Sequence, residues 1–147
     1  MGHLMLPPSE TVSIDANVVI YSIEKIPPYR TILQPLWQAV QSQHITVVTS
    51  DLTLMETLIK PFQTHDTTME HWYRALFVSP GVRLAPISQQ VLERAAQLRA
   101  TTRLRTPDAI HAATALDAQC ALFVTNDRDY RQCPGLTVAL LSDYVAP

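Results

Sequence analysis

"ALFVTNDRD", residues 121–129, runs five residues of good strand-former into Asn126, Asp127 and Asp129. One acid after one strand is ordinary turn chemistry. The stretch gains meaning because "TVSID", residues 11–15, does the same near the other end of the chain. Two β-rich runs that each hand the chain to a carboxylate set a rule to test on the residues between them.

Between them, short β-rich runs alternate with helical periodicity. The expected strands are 11–14, 45–48, 82–86, 121–125 and 136–141. The expected helices are 17–24, ended by Pro27 and Pro28, and 29–42, with Pro35 as a kink. A helix over 51–59 has Ser50 as its N-cap and Pro61 beyond its end. Residues 66–77 are helical, and Pro80-Gly81 makes a turn. Ser88 caps 89–102, and Thr106 caps 107–118 with Pro107 in its first position. Strands alternating with helices predict an α/β fold, a parallel sheet between helix layers. Function then collects at the carboxyl ends of the strands, near the switch in strand order.

The bulk composition agrees. A chain of 147 residues suits one domain with one core, and 47% hydrophobic with 16% charged residues is a globular balance. Residues 1–10 are expected as an N-terminal tail and 11–147 as a single domain. "MGHLMLPPSE" lacks the basic and apolar regions of a signal peptide. No apolar run approaches the roughly 20 residues of a membrane helix. The formal charge of -2 excludes a strongly basic protein but leaves room for a local basic patch. Cys120 and Cys133 fit neither a redox pair nor a zinc knuckle, which predicts free thiols and a cytoplasmic protein. His3, His44, His65, His71 and His111 show no zinc-binding spacing.

The acids carry the chemistry. Asp15 closes the first strand, where a helix cap explains it as well as a site does. Glu56 lies on a helical face with Leu52, Met55 and Ile59, so the spacing places a carboxylate on or beside an inward apolar stripe. Asp108 opens an alanine-rich helix, where the macrodipole alone favours an acid. Close packing of that helix would hold Asp108 on a rigid frame, and His111, one turn on, reads as a packed histidine. Asp127 follows the fourth strand, with Asp129 as second choice. Like charges about 4 Å apart repel by roughly 4 kcal/mol at an effective dielectric of 20. Acids gathered at one rim therefore need a cation, and oxygen-only ligation selects Mg²⁺ or Mn²⁺. Such a site suits attack of water on a phosphodiester. Arg94, Arg99, Arg103 and Arg105 run without an interposed acid towards Asp108, and Arg128 and Arg131 flank the other acids. Of these, Arg99, Arg103, Arg105 and Arg128 are the expected phosphate contacts.

With these residues in view, the chain resembles the PIN domains, and most of all the VapC-type toxin ribonucleases, over about residues 11–141. "SIDANVVIY", "TLMETLIKP", "TPDAIHAATAL" and "LFVTNDRDY…PGLTVALL" carry the likeness as a set. The resemblance implies a three-layer α/β/α sandwich around a parallel five-stranded sheet. It implies Asp15, Glu56, Asp108 and Asp127 as metal-binding, catalytic acids, with Asn17 and Thr125 supporting the pocket. It further implies a Mg²⁺- or Mn²⁺-dependent endoribonuclease of single-stranded RNA, a homodimer, and an antitoxin partner. A structure-specific DNA nuclease and a catalytically silent interaction module are the alternatives. A phospho-aspartyl fold fits poorly. Asp15-Ala16-Asn17 supplies one acid where two are wanted, and neither Lys25 nor Lys60 follows a late strand.

Overall fold

The computed structural model describes residues 3–146. Met1, Gly2 and Pro147, part of the expected tail and the last residue of the expected domain, lie outside the described residues. Strand β1 (Thr11–Ile14) is followed by α1 (Ala16–Ile23) and α2 (Tyr29–Gln41). Then come β2 (Thr46–Ser50), α3 (Asp51–Gln63), α4 (Thr67–Phe77) and β3 (Val82–Ala85). The chain continues through α5 (Gln89–Thr101), α6 (Thr106–Asp117) and β4 (Leu122–Thr125). A 3₁₀ turn (Arg128–Gln132) and β5 (Val138–Leu140) follow, and a second 3₁₀ turn (Leu141–Tyr144) ends the ordered elements.

All strand pairs are parallel, in the order β3-β2-β1-β4-β5. The first strand made is therefore the central one. The chain builds outward through β2 and β3, then crosses back to place β4 on the other flank of β1. Pleating sends alternate side chains to opposite faces. Val12, Ile14, Val47, Leu122 and Val124 join one buried cluster with α1 to α4. Phe123 points to the second cluster, with the alanines of α6 and with Val91, Ala95 and Leu98 of α5. The result is the expected α/β/α sandwich. Leu4, inside the stretch 1–10, is buried in the first cluster.

Four local expectations change. Strand β2 runs to Ser50, so α3 starts with no intervening loop; Ser50 is its N-cap, accepting from Leu52 N at 3.0 Å. Helix α3 does not stop before Pro61 but carries it inside and runs to Gln63. The missing N–H of proline falls in the last turn, where only one intrahelical bond is forfeited. The cap of α6 is Arg105 rather than Thr106, and it makes no side-chain cap bond. Thr106 Oγ1 instead accepts from Arg99 Nη1 at 2.9 Å.

The fourth change concerns the inward face of α3. Met55 and Ile59 are 57% and 47% exposed, while Thr53, Thr57 and Leu58 are buried. The threonines can go inside because their hydroxyls are satisfied locally. Thr57 Oγ1 donates to Thr53 O at 2.8 Å, and the Thr53 and Thr49 hydroxyls bond to each other at 2.6 Å.

Candidate active site

Between β1 and β4 the direction of strand addition reverses, and the carboxyl ends of these neighbours open a crevice. Asp15 leaves β1 there and does two things at once. Its Oδ1 caps α1 by accepting from Val18 N at 3.2 Å. Its Oδ2 accepts from Thr125 Oγ1 at 2.6 Å, across the strand pair. Asp15 is only 4% exposed. Burial pushes its carboxyl above the ordinary value, with the Thr125 hydrogen bond pulling the other way.

Thr125, the last residue of β4, also accepts from Asp127 N at 3.0 Å. One hydroxyl thus ties the first acid to the turn that carries the fourth. Asp127 Oδ1 accepts from Asp129 N at 2.9 Å and caps the 3₁₀ turn behind it. Asp108 sits in the first turn of α6, where Tyr130 Oη donates to its Oδ1 at 3.2 Å. Burial raises the Asp108 pKa, and the nearby charge of Asp127 raises it further. The Tyr130 phenol is pushed far up, first by burial, then by the charges of Asp15, Asp108 and Asp127. Three aspartates therefore surround one phenol. Glu56 reaches the same place from α3, and its Oε1 lies 2.6 Å from His111 Nε2.

Asp15, Asn17, Glu56, Asp108, His111 and Tyr130 line one cavity of about 230 Å³, with Ala16, Ile20 and Ile59. Asn17 makes no side-chain hydrogen bond among the described residues. Asp127 is half-buried and outside the lining, though its charge acts on Asp108 and Tyr130, and Asp129 is exposed. The arginines stay outside the cavity wall. Arg99 is committed to the loop before α6, donating to Leu104 O and Thr106 Oγ1. Arg103, Arg105 and Arg128 are exposed, and their side chains have no partner among the described residues. Sequence reasoning did not connect His111 or Tyr130 to the acids. The signal for His111 was its i+3 spacing from Asp108, which puts both on one helical face.

The donor set fits a hard divalent cation. Among the described residues, no three His, Cys, Asp or Glu side chains converge closely enough to cage a metal. Asp15, Glu56 and Asp108 nonetheless share one small cavity. A loose set of this kind fits a divalent cation that keeps several waters and is held by one or two carboxylates plus substrate phosphates. Asp15 and Asp108, both disfavoured as charged groups by burial, supply the need for positive charge there. A larger apolar groove of about 830 Å³, lined by Trp37, Val40, Ile45 and Leu76 among others, holds no acid.

A parallel α/β sandwich with carboxylates gathered at its switch point defines a class of acid-site proteins. The PIN domain family model matches residues 12–136, and the chain belongs to that family. No curated protein matches in sequence. Among solved structures, the chain is similar to VapBC-1 from nontypeable Haemophilus influenzae, at 16% identity and a TM-score of 0.70. That match covers 90% of this chain and 98% of the other. It is also similar to VapBC2 from Rickettsia felis, which is bound to a DNA fragment from its promoter. Here the identity is 20% and the TM-score 0.69, over 88% of this chain and 98% of the other. The Mycobacterium tuberculosis toxin VapC20, which cleaves the sarcin-ricin loop, matches at 17% identity and a TM-score of 0.68. That match spans 84% of this chain and 95% of the other. At these identities the likeness is one of fold. No helix among the described residues is long and apolar enough to cross a membrane.

Proposed function

We propose that this chain is a Mg²⁺- or Mn²⁺-dependent endoribonuclease of single-stranded RNA, acting in the cytoplasm as the toxin of a VapBC-type pair. PIN domains are a family of nucleases that generally use divalent metal ions. The observation that carries the reading is the shared cavity of Asp15, Glu56 and Asp108, with the charge of Asp127 acting on Asp108. These carboxylates are the proposed metal-holding, catalytic groups. A divalent cation bound there would offset their repulsion, lower the pKa of an attacking water and stabilise charge on the phosphate oxygens. Thr125 orients Asp15, and Asn17 and Asp129 are supporting residues at the rim. Arg103, Arg105 and Arg128, exposed and unpaired, are the proposed contacts to the RNA backbone. Arg99 acts behind them by bracing the loop that presents Arg103 and Arg105.

The antitoxin partner is proposed from the toxin–antitoxin complexes among the fold's neighbours. A homodimer is proposed on the exposed α3 face of Met55, Ile59 and Phe62, whose cover by a second copy would remove apolar surface from water.

The test is cleavage of a mixed panel of labelled RNAs, beside single-stranded DNA, in Mn²⁺, Mg²⁺ and EDTA. RNA cleavage should require metal and fall by about two orders of magnitude or more in Asp15→Asn, the scale of losing a charge-stabilising catalytic group. Full metal-dependent activity in both Asp15→Asn and Asp108→Asn would sink the site assignment. Cleavage of DNA alone would move the reading to a DNA nuclease.

A further inference from the structure

Each aspartate of the cavity has its own orienting donor, Thr125 for Asp15 and Tyr130 for Asp108. Glu56 is the long, flexible member of the set, it comes from another helix, and its side chain is 30% exposed. Its one hydrogen-bond partner among the described residues is His111 Nε2, at 2.6 Å. The imidazole is itself enclosed. It is 3% exposed and sits among Ala109, Ala112, Ala113 and Ala115, all fully buried.

We propose that His111 is a positioning residue of the acid site: its Nε2–H fixes one oxygen of Glu56 and leaves the other to the cavity. The inference rests on the nuclease reading. The ring's second nitrogen supports it. Nδ1 is buried and has no hydrogen-bond partner. A hydrogen there would be a buried donor without an acceptor, whereas a bare lone pair is the cheaper orphan. The proton therefore belongs on Nε2, where it points at the carboxylate. His111 Nε2 cannot serve as a ligand without releasing Glu56, and Nδ1 is buried. It acts through Glu56.

The placement on α6 gives this contact its use. Asp108 and His111 are one turn apart on the same helix, and Glu56 faces them from α3. A rigid helix thus carries one acid and also the donor that sets the distance to another. Orienting groups behind a metal site typically change affinity by one to two orders of magnitude when removed.

The test uses the full chain and two readouts that do not require cleavage. Mn²⁺ titration by calorimetry should show His111→Leu weakened about 10–100-fold, the range for loss of an orienting group, and His111→Gln, whose amide reaches the same place, within about threefold of the unsubstituted chain. Equal affinity for His111→Leu, or equal loss in both variants, would overturn the proposal. Nitrogen-15 imidazole spectra of the unsubstituted, metal-free chain do not depend on the folding of any His111 variant. They should show an Nε2–H tautomer with an exchange-protected proton that is lost in Glu56→Ala. An imidazole resonance indifferent to Glu56→Ala would overturn the proposal while leaving the nuclease reading intact. Failure of the unsubstituted chain to take up Mn²⁺ would overturn the nuclease reading, and the proposal with it.

Discussion

Thr125 shows how little material orders the site. Its hydroxyl donates to Asp15 and accepts from the amide of Asp127, and the residue is fully buried at the end of β4. Valine has nearly the same shape and can do neither. Thr125→Val should therefore leave the amide of Asp127 without its acceptor and Asp15 without its stronger partner. Urea unfolding is expected to register a loss of about 1–3 kcal/mol, the scale of an unmet buried polar group. A change within error would mean that water replaces the hydroxyl at both partners. The sequence singles out Asp15, Glu56, Asp108 and Asp127 from their positions after strands and on helices, and the structure brings the first three to one cavity. The contacts among them were not legible in advance, because Asp15 and Thr125 stand 110 residues apart in the chain. No local pattern records which hydroxyl meets which carboxylate.

Among the elements, α3 teaches the most about reading a helix. Its periodicity offers two apolar faces, one through Leu52, Met55, Ile59 and Phe62, the other through Leu54, Leu58 and Pro61 with threonines between. Hydrophobicity favours the first as the buried face, yet the structure buries the second. Threonines at 53 and 57 close their own hydrogen bonds, so their burial costs little, and their small size lets α3 lie close to the sheet. Periodicity fixes which residues share a face; it does not say which face finds a neighbour. The strands were easier, because five β-rich runs bounded by turns leave few alternatives. Their order, β3-β2-β1-β4-β5, is set by long-range pairing that no single run records. Helix α3 also carries a prediction of its own. Ser50 ends β2 and caps α3 in one step, with no loop to absorb a change. Ser50→Ala should cost about 1 kcal/mol in urea unfolding, the usual worth of a side-chain N-cap. No measurable loss would show that the abrupt strand-to-helix passage holds without its cap.

At the scale of the whole molecule, the sheet order puts the first strand in the middle and gathers the acids at the one crevice where strand addition reverses. Concentrating buried carboxylates there sets how the fold responds to pH. The folded pKa of both Asp15 and Asp108 lies above the ordinary 3.8, mainly through burial. A folded chain with raised acid pKa values binds more protons than the unfolded chain. These two groups thus favour folding below the ordinary value, and that contribution is lost as pH rises through the folded values. Metal-free protein should accordingly gain from Asp108→Asn at about pH 7, where the carboxylate is disfavoured, and gain little near or below its ordinary pKa. Thermal melts in EDTA at several pH values would check this; a lower midpoint for Asp108→Asn at neutral pH would contradict it. The topology also has a consequence in time. Asp15 leaves the ribosome ahead of the strand that completes its surroundings, which follows 110 residues later, a delay of about 5–20 s at ordinary rates of synthesis. A nascent or prematurely terminated chain that stops short of β4 carries three of its four acids and no finished crevice. If the chain is the toxin proposed above, the cell that makes it is spared its unfinished copies, because the harmful chemistry is withheld until β4 has been made.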